Sequence, residues 1–522
     1  MDFPLPLIPL PARLDRLDGE DFVLSSASFV AAGPECRTAA EELALILRRS
    51  TGFELPILDG EESDGGITLV IDPDLTLGAG AEPAPGPEAY SLTVDRTGAV
   101  ITGASTAGLF NGVQTLRQLL PAAVENSSPV DAQWRVPAVV IRDSPRFAYR
   151  GLMLDVARSF LDVAEVKRQI DTMVQFKFNA LHLHLTDDQA WRIEIHNPEH
   201  NPSGLDYGAL TTLGGTGAVD FPGVGLSPGL TGFYTQAEFT EIVDYAARRN
   251  VLVVPEIDMP GHVNAALAAV PQLTAGGTPP AMNTTGEVGY SSLEAGNPVT
   301  YEFAREVIRQ LAALTPGPYL HIGGDEALVT PHEEYLSMVA EIASLVVAAG
   351  KVPVGWNEYA AARIPHGSVV QYWHGSAAAT LERTSDAGAS VIMSPAERTY
   401  LDQKYDPASP IGLSWVEGGP FSWREYYDWD PAGLGIPGGS VLGIEGPLWS
   451  ETVRGGRQAE WLLYPRAIAL AEVAWSPQEQ RHAPDLAARL GLMGARLALQ
   501  GVAFQAAPDI DWSAEPASPF DF

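Results

Sequence analysis

The chain has 522 residues, 46% hydrophobic and 19% charged, so it belongs to the globular class and is too long for one ordinary core; two domains are expected. Its formal net charge of −33 argues against nucleic acid or an anionic membrane as a partner, and no apolar run reaches the length of a membrane span. Cys36 is the only cysteine, which leaves no internal disulfide and no cysteine metal cluster. The N-terminus, Met1 to Pro11, is broken by prolines and lacks a basic region, so the expected compartment is cytoplasmic on the sequence as given, or extracellular if a signal has been removed.

Residues 1–143 read as a small α+β domain. Arg37 to Arg49 has helical spacing and stops at Gly52, and Ile67 to Ile71 reads as a strand. Tyr90 to Val94 and Ala99 to Thr102 flank Asp95-Arg-Thr-Gly98, which predicts a hairpin. An amphipathic helix is predicted over 106–120, ended by Pro121, and one more strand over 136–141.

Residues 144–522 read differently: short apolar strands alternate with helical patterns. Strands are predicted at 151–156, 179–185, 251–257, 318–323, 352–356, 368–373, 389–394 and 441–447. Helices are predicted at 162–177, 236–249, 300–314, 333–349 and 457–474. Eight such strands fit an α/β fold of the closed (β/α)8 TIM-barrel type, with a C-terminal helix, better than an open doubly wound sheet. No G-x-G-x-x-G or P-loop follows a strand, so nucleotide binding has no support. The stretch 197–233, rich in Gly, Pro and Thr, exceeds an ordinary connection, a length associated with functional loops and with plain surface excursions alike.

Polar and aromatic side chains recur where these strands end, and in β/α barrels the C-terminal strand ends carry the chemistry. The first strand leads to Asp155 and Arg158, the second to His182, His184, Asp187 and Asp188, and the third to Glu256, Asp258 and His262. The fourth, Tyr319-Leu-His-Ile-Gly-Gly-Asp325-Glu326, ends in two adjacent carboxylates behind two glycines that permit close backbone approach. The last four supply Trp356 and Glu358; Tyr372 and Trp373; Tyr400 and Asp402; and Glu445, Trp449 and Glu451. Paired carboxylates among tryptophans suggest hydrolysis of a sugar linkage.

These motifs resemble family 20 of the glycoside hydrolases, the β-N-acetylhexosaminidases of bacterial type. His321-Ile-Gly-Gly-Asp-Glu326 is the most specific of them. Leu183-His-Leu-Thr-Asp-Asp-Gln189, Pro255-Glu-Ile-Asp-Met-Pro-Gly-His262 and Trp449-Ser-Glu451 add independent support. The stretch 197–233 is longer than the family usually has, which bears on specificity for the aglycone. Most retaining glycosidases place acid and nucleophile on opposite sides of the scissile bond, which two neighbours on one strand cannot easily do. The resemblance implies the substrate-assisted alternative, in which the 2-acetamido oxygen is the nucleophile.

On that resemblance Glu326 is the acid and then the base, Asp325 orients the acetamide and stabilises its developing charge, and Tyr400 donates to its oxygen. Trp356, Trp373 and Trp449 would form the aromatic pocket, while Arg158, Asp402 and Glu451 would bind sugar hydroxyls. Asp187 and His262 would support the acid. The implied activity is exo-hydrolysis of N-acetylhexosamine-terminated oligosaccharides or glycoconjugates by a monomer or homodimer, with no metal or organic cofactor. Two other readings compete: a metal-dependent barrel hydrolase using His182, His184, Asp258 and His321, and a non-catalytic sugar-binding protein.

Overall fold

The computed structural model describes residues 5–60, 64–78, 86–220, 227–436 and 440–519. Its first part is a seven-stranded sheet in the order Arg13–Arg16, Val139–Asp143, Tyr90–Asp95, Gly98–Gly103, Ile67–Ile71, Val30–Ala32, Ile57–Leu58. The hairpin closes with Asp95 opposite Gly98, and Asp95 caps its own turn by accepting from Thr97 N at 2.8 Å. Helices Arg37–Thr51 and Thr106–Leu119 bury Leu43, Leu47, Leu109 and Val113 with Leu69, Leu92 and Ile101 of the sheet. The single strand expected over 136–141 is two: Arg135–Val136 pairs with Phe22–Val23, and Val139–Asp143 joins the main sheet. Pro137 lies between them and has no N–H to continue a ladder.

Eight parallel strands then close a barrel. They are β1 (Tyr149–Asp155), β2 (Ala180–His184), β3 (Leu252–Glu256), β4 (Tyr319–His321), β5 (Val352–Trp356), β6 (Val369–Tyr372), β7 (Ser390–Met393) and β8 (Val441–Leu448). Closure is made by β1 against β8, with Tyr149 opposite Gly443 and Leu154 opposite Leu448. The strands alternate, apart from a register shift where β7 pairs with β8. Leu181, Leu183, Val253, Leu320, Val370 and Val391 face outward into the main core with the helices. Their neighbours face the axis, where Tyr149, Ala180, Val254, Val354, Val369 and Ile392 form an apolar layer at the strand starts. The helix expected over 457–474 is broken into Gly456–Leu463 and Arg466–Trp475, with Pro465 at the break.

Buried charge joins the two parts. Lys177 Nζ lies 3.0 Å from Tyr90 Oη and 3.1 Å from Asp143 Oδ2, and Trp475 Nε1 donates to the same carboxylate at 3.0 Å. Arg150 forks onto Glu88 at 2.5 and 2.9 Å. In the long 197–233 stretch, part of which lies outside the described residues, Arg192 substitutes for regular pairing. Its guanidinium donates to the carbonyls of Val156, Ala157, Gly215, Gly217 and Gly232 at 2.7–2.9 Å.

Candidate active site

The site is built on the turn after β4. Gly323 and Gly324 take φ values of 66° and 95°, which bends the chain out of the barrel and leaves β4 only three residues long. A Cβ on Gly323 would stand 1.8 Å from Asp258 Oδ1, so only glycine admits the Asp258 carboxyl beside this turn. Gly324 N then donates to Asp258 Oδ1 at 3.0 Å. Burial, reinforced by the neighbouring Asp325 charge, raises Asp258 well above the usual carboxylate range. Asp325 is itself pushed up to about 6, by burial first and then by Glu358 and Glu256, while His262 pulls it down. The two buried carboxyls share a proton more readily than they hold two charges.

Glu326 follows with φ 46°, and His262, which faces it across the pocket, has φ 55°. His262 Nε2 stands 3.5 Å from Glu326 Oε2 and 3.5 Å from Asp325 Oδ2. Its other nitrogen, Nδ1, is 3.1 Å from Asp187 Oδ1. Two left-handed side-chain-bearing residues at one contact are stored strain of roughly 1–2 kcal/mol each. Glu326→Gly should therefore unfold at a higher temperature than the parent chain while losing turnover; a thermal melt with a clearly lower midpoint would show that the turn is not strained.

A cavity of about 490 Å³ opens here, lined by Arg158, His262, Asp325, Glu326, Trp373, Tyr400, Trp449 and Glu451 among others. Eight of the eleven site residues expected from the sequence thus meet at one wall or another. The remaining three are not among its lining residues. Asp187 is held by Arg158 at 2.7 Å and His184 at 2.8 Å, and lies well below the usual carboxylate range because Arg158 and His262 outweigh its burial. Trp356 packs 5.9 Å from Trp449 and donates its indole N–H to Glu256 at 2.9 Å. Asp402 accepts from Trp415 Nε1 at 3.1 Å and Gln403 Nε2 at 2.8 Å.

The aromatic walls are close-set. Trp373 and Tyr400 are near-parallel at 6.1 Å, and Trp415 meets both edge-on at 6.2 and 5.6 Å. Trp415, half exposed, together with Leu413, Ser414, Gly286 and Val288, lines the cavity although sequence reasoning did not single them out. They lie on irregular loops where no periodicity marks them; a tryptophan within a proline- and glycine-rich loop was the one available signal. Arg158 stacks 5.0 Å over the Trp449 ring. Near it burial raises Glu451 to about 7 against the pull of Arg158, and burial raises Asp402 to about 6.

Two buried carboxyl atoms at this pocket have no hydrogen-bond donor among the described residues, Asp402 Oδ1 and Glu451 Oε2, whereas the Asp325 carboxyl is bonded to that of Asp258. Buried acceptors left in this state cost about 1–3 kcal/mol each unless a ligand or water supplies donors. They define what the pocket is built to receive, a molecule rich in N–H and O–H groups with an apolar face. The histidines of a metal reading are engaged with carboxylates: His182 Nδ1 with Glu445 at 2.8 Å, and His184 with Glu256 at 2.5 Å and Asp187 at 2.8 Å.

The chain matches "Glycosyl hydrolase family 20, catalytic domain" over residues 147–478 and "Glycosyl hydrolase family 20, domain 2" over residues 5–144. It is 39% identical to a β-N-acetylhexosaminidase of Cellulomonas fimi across 98% of both chains. A β-hexosaminidase of Porphyromonas gingivalis is 35% identical over 95% of this chain and 64% of its own length. Among solved structures, the family 20 β-N-acetylhexosaminidase of Streptomyces coelicolor superposes with a TM-score of 0.88 at 40% identity, covering 98% of this chain and 99% of that one. A mutant β-hexosaminidase of Streptomyces plicatus in complex with its product GlcNAc gives the same score at 42% identity, covering 98% of each chain. With both of its parts matched in sequence and in fold, the chain belongs to glycosyl hydrolase family 20.

Proposed function

We propose that this glycoside hydrolase is an exo-acting β-N-acetylhexosaminidase that removes terminal non-reducing N-acetylglucosamine or N-acetylgalactosamine from β-linked glycans. It acts with retention, through the substrate's own acetamido group. The observation that carries the reading is the Asp325 carboxyl, set in a pocket walled by Trp373, Tyr400 and Trp449. An acetamide supplies partners for that wall: an N–H for Asp325, a carbonyl oxygen for the Tyr400 hydroxyl, and a methyl for the indoles.

In this reading Tyr400 and Asp325 turn the acetamide oxygen toward the anomeric carbon, and its attack closes an oxazolinium ring as the glycosidic bond breaks. Positive charge spreads onto the acetamide nitrogen, where the Asp325 carboxylate stabilises it in a site with little water. Glu326 protonates the departing oxygen and then takes a proton from the water that opens the ring. Asp402 and Glu451, with Arg158, receive the hydroxyls of the terminal sugar, which makes the enzyme exo-acting.

A panel of aryl β-glycosides tests this. The N-acetylglucosaminide should be hydrolysed and the matching glucoside turned over at background rate, since it lacks both the nucleophile and the donor for Asp325. The thiazoline mimic of the cyclised intermediate should inhibit competitively. Comparable turnover of both glycosides, with a trapped glycosyl-enzyme, would sink the mechanism.

A further inference from the structure

Below the pocket, the barrel axis carries a file of buried acidic and basic side chains of which the reaction just described uses only the top. At its foot, Tyr149 Oη donates to Glu445 Oε2 at 2.5 Å. Glu445 Oε1 meets His182 Nδ1 at 2.8 Å, and His182 Nε2 stands 3.1 Å from Glu256 Oε2. The same Glu256 oxygen is 2.5 Å from His184 Nδ1, and His184 Nε2 is 2.8 Å from Asp187. Asp187 meets His262, and His262 faces Glu326. From the apolar layer at the strand starts to the acid, each group in the file stands within 3.5 Å of the next, through hydrogen bonds except at His182 Nε2 and His262 Nε2, which meet their carboxylates as close charge contacts.

Room is made for it: a Cβ on Gly151 would stand 2.6 Å from Glu445 Oε2. Its charges alternate. Burial opposes every one, yet Glu445 and Glu256 raise His182 to about 9, and Glu256 and Asp187 raise His184 well above its ordinary value. Glu256 and Glu445 are in turn lowered by their histidines against burial. Two further groups meet the file from the side: Arg158 holds Asp187 at 2.7 Å, and His321 Nδ1 stands 2.9 Å from Glu256 Oε1. His321, 4.7 Å from the His182 ring, is lowered by burial; Gln371 donates to Glu445 at 2.7 Å; and the indole N–H of Trp356 donates to Glu256. Barrel interiors are ordinarily filled by branched aliphatic side chains, and buried ion pairs are on balance no more stabilising than such packing. A charged file in that place is therefore better explained by its upper end than by folding.

We propose that Tyr149, Glu445, His182, Glu256 and His184 are positioning residues that fix Asp187 and His262, and through them hold the Glu326 carboxyl in line with the departing oxygen. This rests on Glu326 as the acid. Around Glu326 the other charged groups are Asp325 and the Glu358–His374 pair, with His374 Nε2 at 3.1 Å from Glu358, and the file reaches neither of them below His262.

Glu445→Gln tests the idea, because it keeps the shape and removes one charge from the file about as far from the pocket as the file extends. Turnover is read on two β-N-acetylhexosaminides, one with an alkyl leaving group and one with an activated dinitrophenyl group. With the alkyl group kcat should fall roughly tenfold at unchanged KM, and with the activated group the loss should be about twofold or less, because a misaimed acid matters only where protonation is needed. Leu181→Ala, on the outward face of the same strand as His182, is the control: it opens a cavity and lowers the melting temperature without touching the file. Tyr149→Phe removes a single hydroxyl and carries the test if Glu445→Gln does not fold; a loss of about threefold confined to the alkyl substrate is expected. Equal losses on both leaving groups, no loss at all, or the same pattern in Leu181→Ala would each overturn the proposal. A parent enzyme inactive on both glycosides would instead overturn the reading of the pocket, so the two failures are told apart.

Discussion

Replacing Glu326 by glutamine should slow hydrolysis of an alkyl or sugar aglycone by about 10²–10⁴, the range that general acid catalysis supplies. An alkoxide is a poor leaving group and needs its proton in the transition state; a nitrophenolate does not. The first step with an activated aryl glycoside should thus be nearly spared. The second step is not spared, since water must still be deprotonated to open the cyclised intermediate. Pre-steady-state measurement should therefore show a burst of aryl alcohol followed by slow turnover. Uniform small losses across leaving groups, with no burst, would exclude Glu326 as the proton donor. The geometry makes the test clean: the Glu326 side chain is 31% exposed and its nearest charged partner stands 3.5 Å away, so glutamine disturbs little else.

Asp325→Asn should lower kcat by on the order of 10²–10³ with a smaller rise in KM, by analogy with removal of one oxyanion-hole donor. Tyr400→Phe should act in the same direction, since the hydroxyl it removes holds the acetamide oxygen in place. The carboxylate matters only when ionised, and burial has pushed Asp325 up to about 6. The sign follows. Above that value the anion is present and stabilises the acetamide nitrogen; as pH falls through it, the group protonates and kcat declines. In Asp325→Asn that acidic limb should vanish from the kcat profile, leaving a slow enzyme with only the alkaline limb. A profile of unchanged shape would place the acidic limb on another group.

The barrel was legible because parallel strands buried on both faces read as apolar runs, and all eight appeared within a few residues of their final bounds. The shortest, β4, was overextended since Leu320 to Ile322 looks like strand until the left-handed glycines stop the pairing. Pro137 and Pro465 each divided an element that pattern alone would continue. The short strands Arg13–Arg16 and Val30–Ala32 carry too few residues to show a period. At the site, side chains displayed by strand ends were visible, because position in the repeat tells where they point. Trp415 was not, since it reaches the pocket from a loop. Partnerships were illegible too: His182 and Glu445 are 263 residues apart and meet only when the barrel closes.

The alternation within a barrel strand also bears on how such a chain can change over generations. In β2, Leu181 and Leu183 belong to the shell that keeps the molecule folded, while His182 and His184, interleaved with them, belong to the interior. Adjacent codons in one short strand are thus under unrelated selection, one for packing volume and the next for charge. Drift among aliphatics at the outward positions leaves the reaction untouched, and an altered interior residue leaves the packing contacts of the shell in place. A lineage of this kind can revise its packing and its chemistry through separate single substitutions.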